Sequence, residues 1–449
     1  MPSNSLKISV SGIRAIVGDT LTPGIIMDFA HAFGTYLKKG SRVVLGRDSR
    51  VSGPAVRQAV IAGLLASGCE IIDIGILPIP SAHVMVKKLK ADGGVVLTAS
   101  HNPVEWNALK FINAEGIVLP GAAAKEVVDI YHSRAFRNVG PADIKGVTEV
   151  TNAIDTHIEE VLKNIPVEII KKKKFKVVVD CCNGGAGIMS PKFLKLLGCE
   201  VIGLNLTTDG IFPHHPEPLD HNLTQLKTAV IKEKADIGFA QDADADRLGI
   251  VDEKGSFIGE ELTLALAAMY ALPNFKTPLV TNLSSSAILD WVAKISGVEI
   301  YRSKVGEANV VELMKKVKSK MAGEGGGKVI FPPVTVSADS ISAMGLVLAL
   351  LAATGKSVSR IMGEMPKFHQ IKHKVELGNT NPYHILRKMK AALKAENLNT
   401  EDGLKILRSY GWAHIRPSNT EPIIRIIVET EDAAKSQAML DEMIGILNK

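Results

Sequence analysis

Cysteine is scarce in this chain: four among 449 residues, at Cys69, Cys181, Cys182 and Cys199, with no C-x-x-C pair. The adjacent Cys181 and Cys182 make a poor disulfide, so a disulfide scaffold is excluded and all four read as reduced core thiols of a cytoplasmic protein. The opening stretch, MPSNSLKISVSG, lacks a basic segment followed by an apolar one, so no secretory leader is expected. Long hydrophobic runs are missing too. The greasiest stretch, Ile341 to Thr354, is too short to cross a bilayer and predicts a buried helix, so no membrane partner is expected. Charge is not strongly one-sided either: 53 basic against 47 acidic side chains leave +6, a bias that suits small anionic ligands. The lysine run from Lys171 to Lys174 reads as a solvated edge, and no nucleic-acid partner is expected. With 46% hydrophobic and 22% charged residues, the chain has globular composition and enough length for three or four domains.

What is present begins with an internal repeat. Three segments close a helix with Gly-x-Glu and re-enter an apolar run: Gly68-Cys69-Glu70-Ile71-Ile72, Gly198-Cys199-Glu200-Val201-Ile202 and Gly297-Val298-Glu299-Ile300. Each follows an earlier apolar strand, at Arg42 to Leu45, Lys176 to Val179 and Pro278 to Val280. Strand, helix, glycine stop and strand form a βαβ unit, which requires a right-handed crossover and parallel pairing. The fold class predicted is therefore α/β: three similar mixed-sheet domains, over residues 1–152, 153–255 and 256–368. The last part, 369–449, reads as an α+β domain. It has an alternating run from Ile371 to Leu377, a helix near Pro382 to Glu396, strands parted at Asp402-Gly403 and Tyr410-Gly411, and an amphipathic helix from Asp432.

Two loops carry chemistry. In Val95 to Asn107, VVLTASHNPVEWN, the strand signal stops at Thr98, and Ser100 is expected on a tight turn closed by Asn102-Pro103, presented rather than buried. His101 beside it can donate hydrogen bonds to an anion, and Asn107 and Lys110 follow within reach of a short loop. Those residues alone fit a solvated serine at a strand end as well as a serine that carries charge or acts as a nucleophile. The second loop, AQDADADRLG at Ala240 to Gly249, sets Asp242, Asp244 and Asp246 at alternate positions with Arg247 beside them. Three carboxylates can converge on a hard divalent cation, with Ala243 and Ala245 small enough to let the backbone curl. It is no EF-hand, because the glycine at position six is absent and the length is wrong. Near the end, RPSNTEPIIR places Arg416, Ser418, Asn419, Thr420 and Arg425 on or beside an interstrand loop, where hydroxyls and guanidinium groups can hold a phosphate dianion or merely form a turn.

Together these segments resemble the α-D-phosphohexomutase superfamily, enzymes that interconvert sugar 1-phosphates and 6-phosphates. Four family hallmarks occur in the family's order: TASHNP at Thr98 to Pro103, the metal loop at Asp242 to Arg247, a sugar-binding G-E loop at Gly323 to Gly327, and RPSNTEP at Arg416 to Pro422. Lesser matches lie at Gly12-Ile13-Arg14, Gly46-Arg47-Asp48, Asp180 with Asn183-Gly184, Phe212-Pro213 with Pro216-Glu217-Pro218, and Val305-Gly306. The resemblance implies a phosphoserine at Ser100 and Mg2+ held by Asp242, Asp244, Asp246 and the Ser100 phosphate. It implies that Arg14, Lys110 and Arg247 surround the transferring phosphoryl group, with Lys110 a general acid or base and His101 a weaker candidate. It implies sugar and phosphate contacts from Gly323, Glu324, Gly325, Lys328, Arg416, Ser418, Asn419, Thr420 and Arg425. The partners implied are a hexose phosphate and its 1,6-bisphosphate, handled by a monomer or homodimer.

Departures from the pattern are local. Ala15 and Ala243 stand where glycine is common, Gly326 where serine or asparagine is common, Lys328 where histidine or glycine is common, and Ala338 where an arginine often precedes the aspartate. The glycine-rich loop AGEGGGK is most similar to that of phosphoglucosamine mutases and related archaeal-type mutases. The implied reaction is therefore on glucosamine phosphate, with phosphomannomutase or phosphoglucomutase activity, or a non-catalytic sugar-phosphate-binding role, as alternatives. Lys328 reads here as a cation near C2 that would repel a protonated amine.

Overall fold

The computed structural model describes residues 6–9, 12–378, 380–394, 396–418 and 423–447. It divides into two units, Met1–Tyr270 with Gly326–Arg360, and Ala271–Gly325 with Ile361–Lys449. In the first unit a seven-stranded sheet contains β1 (Lys7–Ser9), β2 (Gly12–Ile16), β3 (Arg42–Arg47), β4 (Glu70–Ile76), β5 (Gly93–Leu97), β6 (Trp106–Asn113) and β7 (Val147–Glu149), in the order β1-β2-β6-β5-β3-β4-β7. Its β5-β3-β4-β7 half is parallel and its β1-β2-β6-β5 half antiparallel. A second sheet orders β8 (Lys176–Asp180), β9 (Glu200–Leu204), β10 (Ile237–Gln241) and β11 (Leu248–Asp252) as β11-β10-β8-β9. Strands β5, β10 and β11 are buried along their whole length, as expected for apolar runs covered on both faces.

The third layer supplies β12 (Leu279–Asn282), β13 (Ile300–Ser303) and β14 (Met321–Glu324) to the second unit, where β12 pairs in parallel with both neighbours. Its later elements, β15 (Lys328–Ile330) and the helix Ser340–Thr354, fall in the first unit. That helix is buried from Ser340 through Ala352, and Asp339 caps it by accepting from the N–H groups of Ile341 and Ser342. No single described helix is long and apolar enough to cross a membrane.

The three Gly-x-Glu segments are three copies of one helix ending. Gly68, Gly198 and Gly297 have φ of +77°, +75° and +65°, values that cost an L residue with a Cβ. The next N–H reaches back five residues in each copy: Cys69 to Leu64 O at 3.1 Å, Cys199 to Leu194 O at 3.1 Å, and Val298 to Ala293 O at 3.0 Å. This Schellman closure satisfies the last helix carbonyls and turns the chain into β4, β9 or β13, each parallel to the strand before its helix. Beyond them, β16 (His369–Glu376), β17 (Asn397–Asn399), β18 (Leu404–Arg408), β19 (Gly411–Pro417) and β20 (Ile423–Thr430) form an antiparallel sheet, β16-β20-β19-β18-β17. Helices Pro382–Ala392 and Ala433–Leu447 close its core on Met389, Ile406, Ile415, Ile426 and Met443. The architecture is thus three α/β layers and a C-terminal α+β module, and all four cysteines are free and buried.

Candidate active site

Ser100 follows β5 on a turn in which its N–H donates to Thr98 Oγ1 at 3.0 Å and Asn102 N–H donates to Ala99 O at 3.1 Å. The serine is not presented as expected. It is 5% exposed, with φ of +52°, a left-handed conformation costing a non-glycine residue about 1–3 kcal/mol. Arg50 holds it there. This fully buried guanidinium donates from Nη2 to Ser100 O and Asn102 O, both at 2.7 Å, and from Nη1 to Pro103 O at 2.6 Å and Trp106 O at 2.9 Å. Its Nε donates to Asp48 Oδ2 at 3.0 Å. Sequence reasoning stopped at Gly46-Arg47-Asp48 and missed Arg50; the available signal was an arginine two residues past a strand-end aspartate. Asn107 does not fold back toward the serine, but lies buried on β6 and donates to Ser52 Oγ at 2.9 Å.

The hydroxyl of Ser100 donates to Asp242 Oδ2 at 2.9 Å, joining the turn to the loop between β10 and β11. Ala245, at φ of +54°, bends that loop as its small size allows, and its carbonyl accepts from Ser340 Oγ at 2.6 Å. The carboxylates are crowded but not unpaired. Lys110 Nζ, reaching across from β6, lies 2.8 Å from Asp244 Oδ2, and Lys328 Nζ lies 2.9 Å from Asp246 Oδ2. Asp244 Oδ1 and Asp246 Oδ1 are buried without a hydrogen-bond partner. One oxygen from each of the three aspartates falls within 4.8 Å of the others. Two orphaned oxygens in an all-carboxylate set fit a hard divalent cation. Burial, and then Asp244 and Asp246, push the Asp242 carboxyl far above its usual range. Burial opposes ionisation of Asp246 also, yet Lys328, Lys110 and Arg247 hold it below that range.

Around this pair of loops, Arg14 Nη1 donates to Asn102 Oδ1 at 2.6 Å, and Arg247 Nη1 donates to Glu217 Oε1 at 2.8 Å. His101 Nδ1 is 3.4 Å from Ser100 Oγ; burial, then Arg247 and Arg14, lower its pKa to about 3, so the ring is neutral near pH 7. Lys328 arrives through a close backbone approach. A Cβ on Gly327 would lie 2.4 Å from Leu248 O, and both Gly326 and Gly327 have φ of +78°. Gly326, which stands where serine or asparagine is common, and Gly327 thus have a backbone reason. They bring Lys328 into a bridge with Arg247 and onto Asp246.

The second unit assembles the remaining candidates. Glu324 Oε1 accepts from Asn282 Nδ2 at 2.7 Å and from Gly306 N–H at 2.8 Å. Val305 N–H donates to Asp402 Oδ2 at 2.8 Å, and the same oxygen lies 3.5 Å from Arg416 Nε. Arg416 and Arg425 are partners across β19 and β20, and burial, moderated by Asp402, lowers the Arg416 pKa. Gly323 sits buried on β14, Gly325 follows it, and Ser418 closes β19 with its N–H on Ile423 O at 2.9 Å. Asn282 and Asp402 carried no motif and were missed. Asn419 and Thr420 lie outside the described residues.

Comparison with known proteins matches the whole length. Residues 6–138, 155–255 and 259–368 match the phosphoglucomutase/phosphomannomutase alpha/beta/alpha domains I, II and III, and residues 372–446 match the C-terminal domain. The chain is 36% identical to Phosphoglucomutase/phosphomannomutase of Thermococcus kodakarensis and 34% identical to Probable phosphoglucosamine mutase of Methanopyrus kandleri, each over 98% of this chain and 97% of the relative. A phosphoglucomutase/phosphomannomutase family protein of Burkholderia thailandensis superimposes with TM-score 0.87 at 26% identity, covering 100% of this chain and 98% of that one. Aspergillus fumigatus N-acetylphosphoglucosamine mutase, in complex with GlcNAc-6P and magnesium, shares the fold at TM-score 0.65 and 14% identity, covering 99% of this chain and 96% of that one. The chain therefore belongs to the phosphoglucomutase/phosphomannomutase family, the α-D-phosphohexomutases, and is an isomerase of the phosphohexomutase class.

Proposed function

We propose that the protein interconverts glucosamine 6-phosphate and glucosamine 1-phosphate through a phosphoserine at Ser100 and a 1,6-bisphosphate intermediate. The observation that carries this reading is the Ser100 hydroxyl bonded to Asp242 beside two orphaned carboxylate oxygens. In the active form Ser100 carries a phosphoryl group. A sugar hydroxyl attacks its phosphorus as the bond to Ser100 Oγ breaks; Lys110, the candidate general acid and base, gives its proton to the departing Oγ and takes the hydroxyl proton in its place. The bisphosphate turns round and returns its other phosphoryl group to Ser100. Asp242, Asp244 and Asp246 would hold magnesium, which supplies charge neutralisation for the phosphoryl group. Arg14 and Arg247 add positive charge around it, while the neutral His101 can offer an N–H.

One site must accept both orientations of the sugar. Glu324, fixed by Asn282 and Gly306, is suited to accept from hydroxyls that occupy equivalent places in each. Arg416, Ser418 and Arg425, with Asn419 and Thr420, would grip the phosphate that is not reacting. Glucosamine is favoured by the glycine-rich sugar loop, and because the charge of Lys328 is engaged by Asp246, which weakens the objection that it repels an amine at C2. The 36% identity to a phosphoglucomutase/phosphomannomutase favours the second reading, turnover of mannose and glucose phosphates. Rate constants for glucosamine, glucose and mannose 1-phosphates under one condition decide between them. A preference for glucose or mannose of about a hundredfold or more overturns the glucosamine assignment.

A further inference from the structure

We propose that Lys328 is a tethered counter-ion of Asp246 that sets how tightly the divalent cation is held. This rests on the assignment of the cation to the three aspartates above. Lysine and cation need not exclude one another, because Lys328 takes Asp246 Oδ2 and leaves Oδ1 without a hydrogen-bond partner. Lys110 treats Asp244 in the same way, on Oδ2 with Oδ1 left over. The two ammonium groups thus grip one oxygen of each carboxylate and leave the other for the ion.

The tether is stiff. Leu248 N–H donates to Gly327 O at 3.0 Å and Gly327 N–H donates to Glu260 O at 2.8 Å, so the backbone beside Lys328 is fixed. The Lys328 side chain is only 18% exposed, and little solvent screens its charge. Lys110 and Lys328 sit directly on Asp244 and Asp246, while Arg247 is shared with Glu217, so the two lysines offset the charge of these carboxylates before any metal arrives. Removing Lys328 makes the site more negative by one charge, which attracts the cation more strongly. The lysine therefore makes a weaker, more readily exchanged cation site than a neutral residue there would.

The test is calorimetric titration of Mg2+ into the full-length protein, with every sample brought to one phosphorylation state by intact mass. Lys328→Gln is expected to bind Mg2+ at least about tenfold more tightly than wild type. Lys328→Arg, which keeps the charge, should bind like wild type, and Asp246→Asn more weakly. If Gln disturbs the fold, Lys328→Met carries the same expectation. Equal or weaker binding by the neutral variants overturns this inference alone. Absence of Mg2+ binding in wild type and in both neutral variants overturns the metal assignment and this inference with it.

Discussion

Replacing Arg50 by methionine keeps most of the side-chain volume and removes five donated hydrogen bonds at once. Four of them end on the carbonyls of Ser100, Asn102, Pro103 and Trp106, and one on the buried carboxyl of Asp48. Breaking a buried ion pair from one side typically costs about 3–5 kcal/mol, and each buried acceptor left unpaired costs about 1–3 kcal/mol. These costs do not add, because the turn can relax, water can enter, and Ser100 can leave its left-handed conformation and recover about 1–2 kcal/mol. The net loss expected is about 4 kcal/mol. That relaxation also moves the hydroxyl away from Asp242, so mutase activity should fall by orders of magnitude. Arg50→Lys keeps the charge but has three donors for five acceptors, and should fall between the two. Urea unfolding followed by circular dichroism, with a coupled mutase assay on the same samples, reads both effects. A loss for Arg50→Met of less than about 1 kcal/mol, or a rate near wild type, refutes the view that Arg50 builds the turn.

Ser100→Gly should abolish turnover yet stabilise the fold by about 1 kcal/mol relative to Ser100→Ala, since only glycine takes φ of +52° without strain; equal unfolding midpoints would argue against strain at this residue. Arg416→Ala should raise KM for the sugar phosphate strongly, with a smaller effect on kcat, and unchanged kinetics remove the β19 loop from the site. Lys405 donates to Leu283 O at 2.6 Å, and burial, then Arg302, push its pKa down from 10.5 to about 7. Between those values the unfolded chain holds a proton that the folded chain lacks, so this residue makes stability rise from pH 7 towards 10.5. Lys405→Met should flatten that rise in urea midpoints, and an identical pH profile would contradict it.

Much of the site was legible because its residues come in runs. Alternate aspartates, a serine on a strand-end turn and an arginine-rich loop each carry their chemistry in adjacent positions. The βαβ repeats were legible for the same reason, since a helix stop needs glycine at one place and the next strand begins two or three residues later. What escaped was contact between distant segments. Arg50 reaches Ser100 across 50 residues and Lys110 reaches Asp244 across 134, and no spacing in the chain announces either bond. Ser100 was expected on the surface because polar turn residues normally are, whereas here the charged groups it serves surround it. Gly326 and Gly327 show a further ambiguity: a glycine that takes a left-handed backbone, or that lets backbones approach as at Gly327, looks the same in sequence as one that leaves space for a ligand. Asn282 and Asp402 support Glu324 and Arg416 without belonging to any motif.

The central claim is that a phosphoryl group passes through Ser100. The direct measurement is to load the purified protein with phosphate-labelled glucosamine 1,6-bisphosphate, locate the label by peptide mass mapping, and chase it with unlabelled glucosamine 6-phosphate. The account predicts label on Ser100 alone, discharged into sugar phosphate at a rate at least equal to turnover. Turnover with no label on Ser100, or label that the sugar cannot remove, would contradict it.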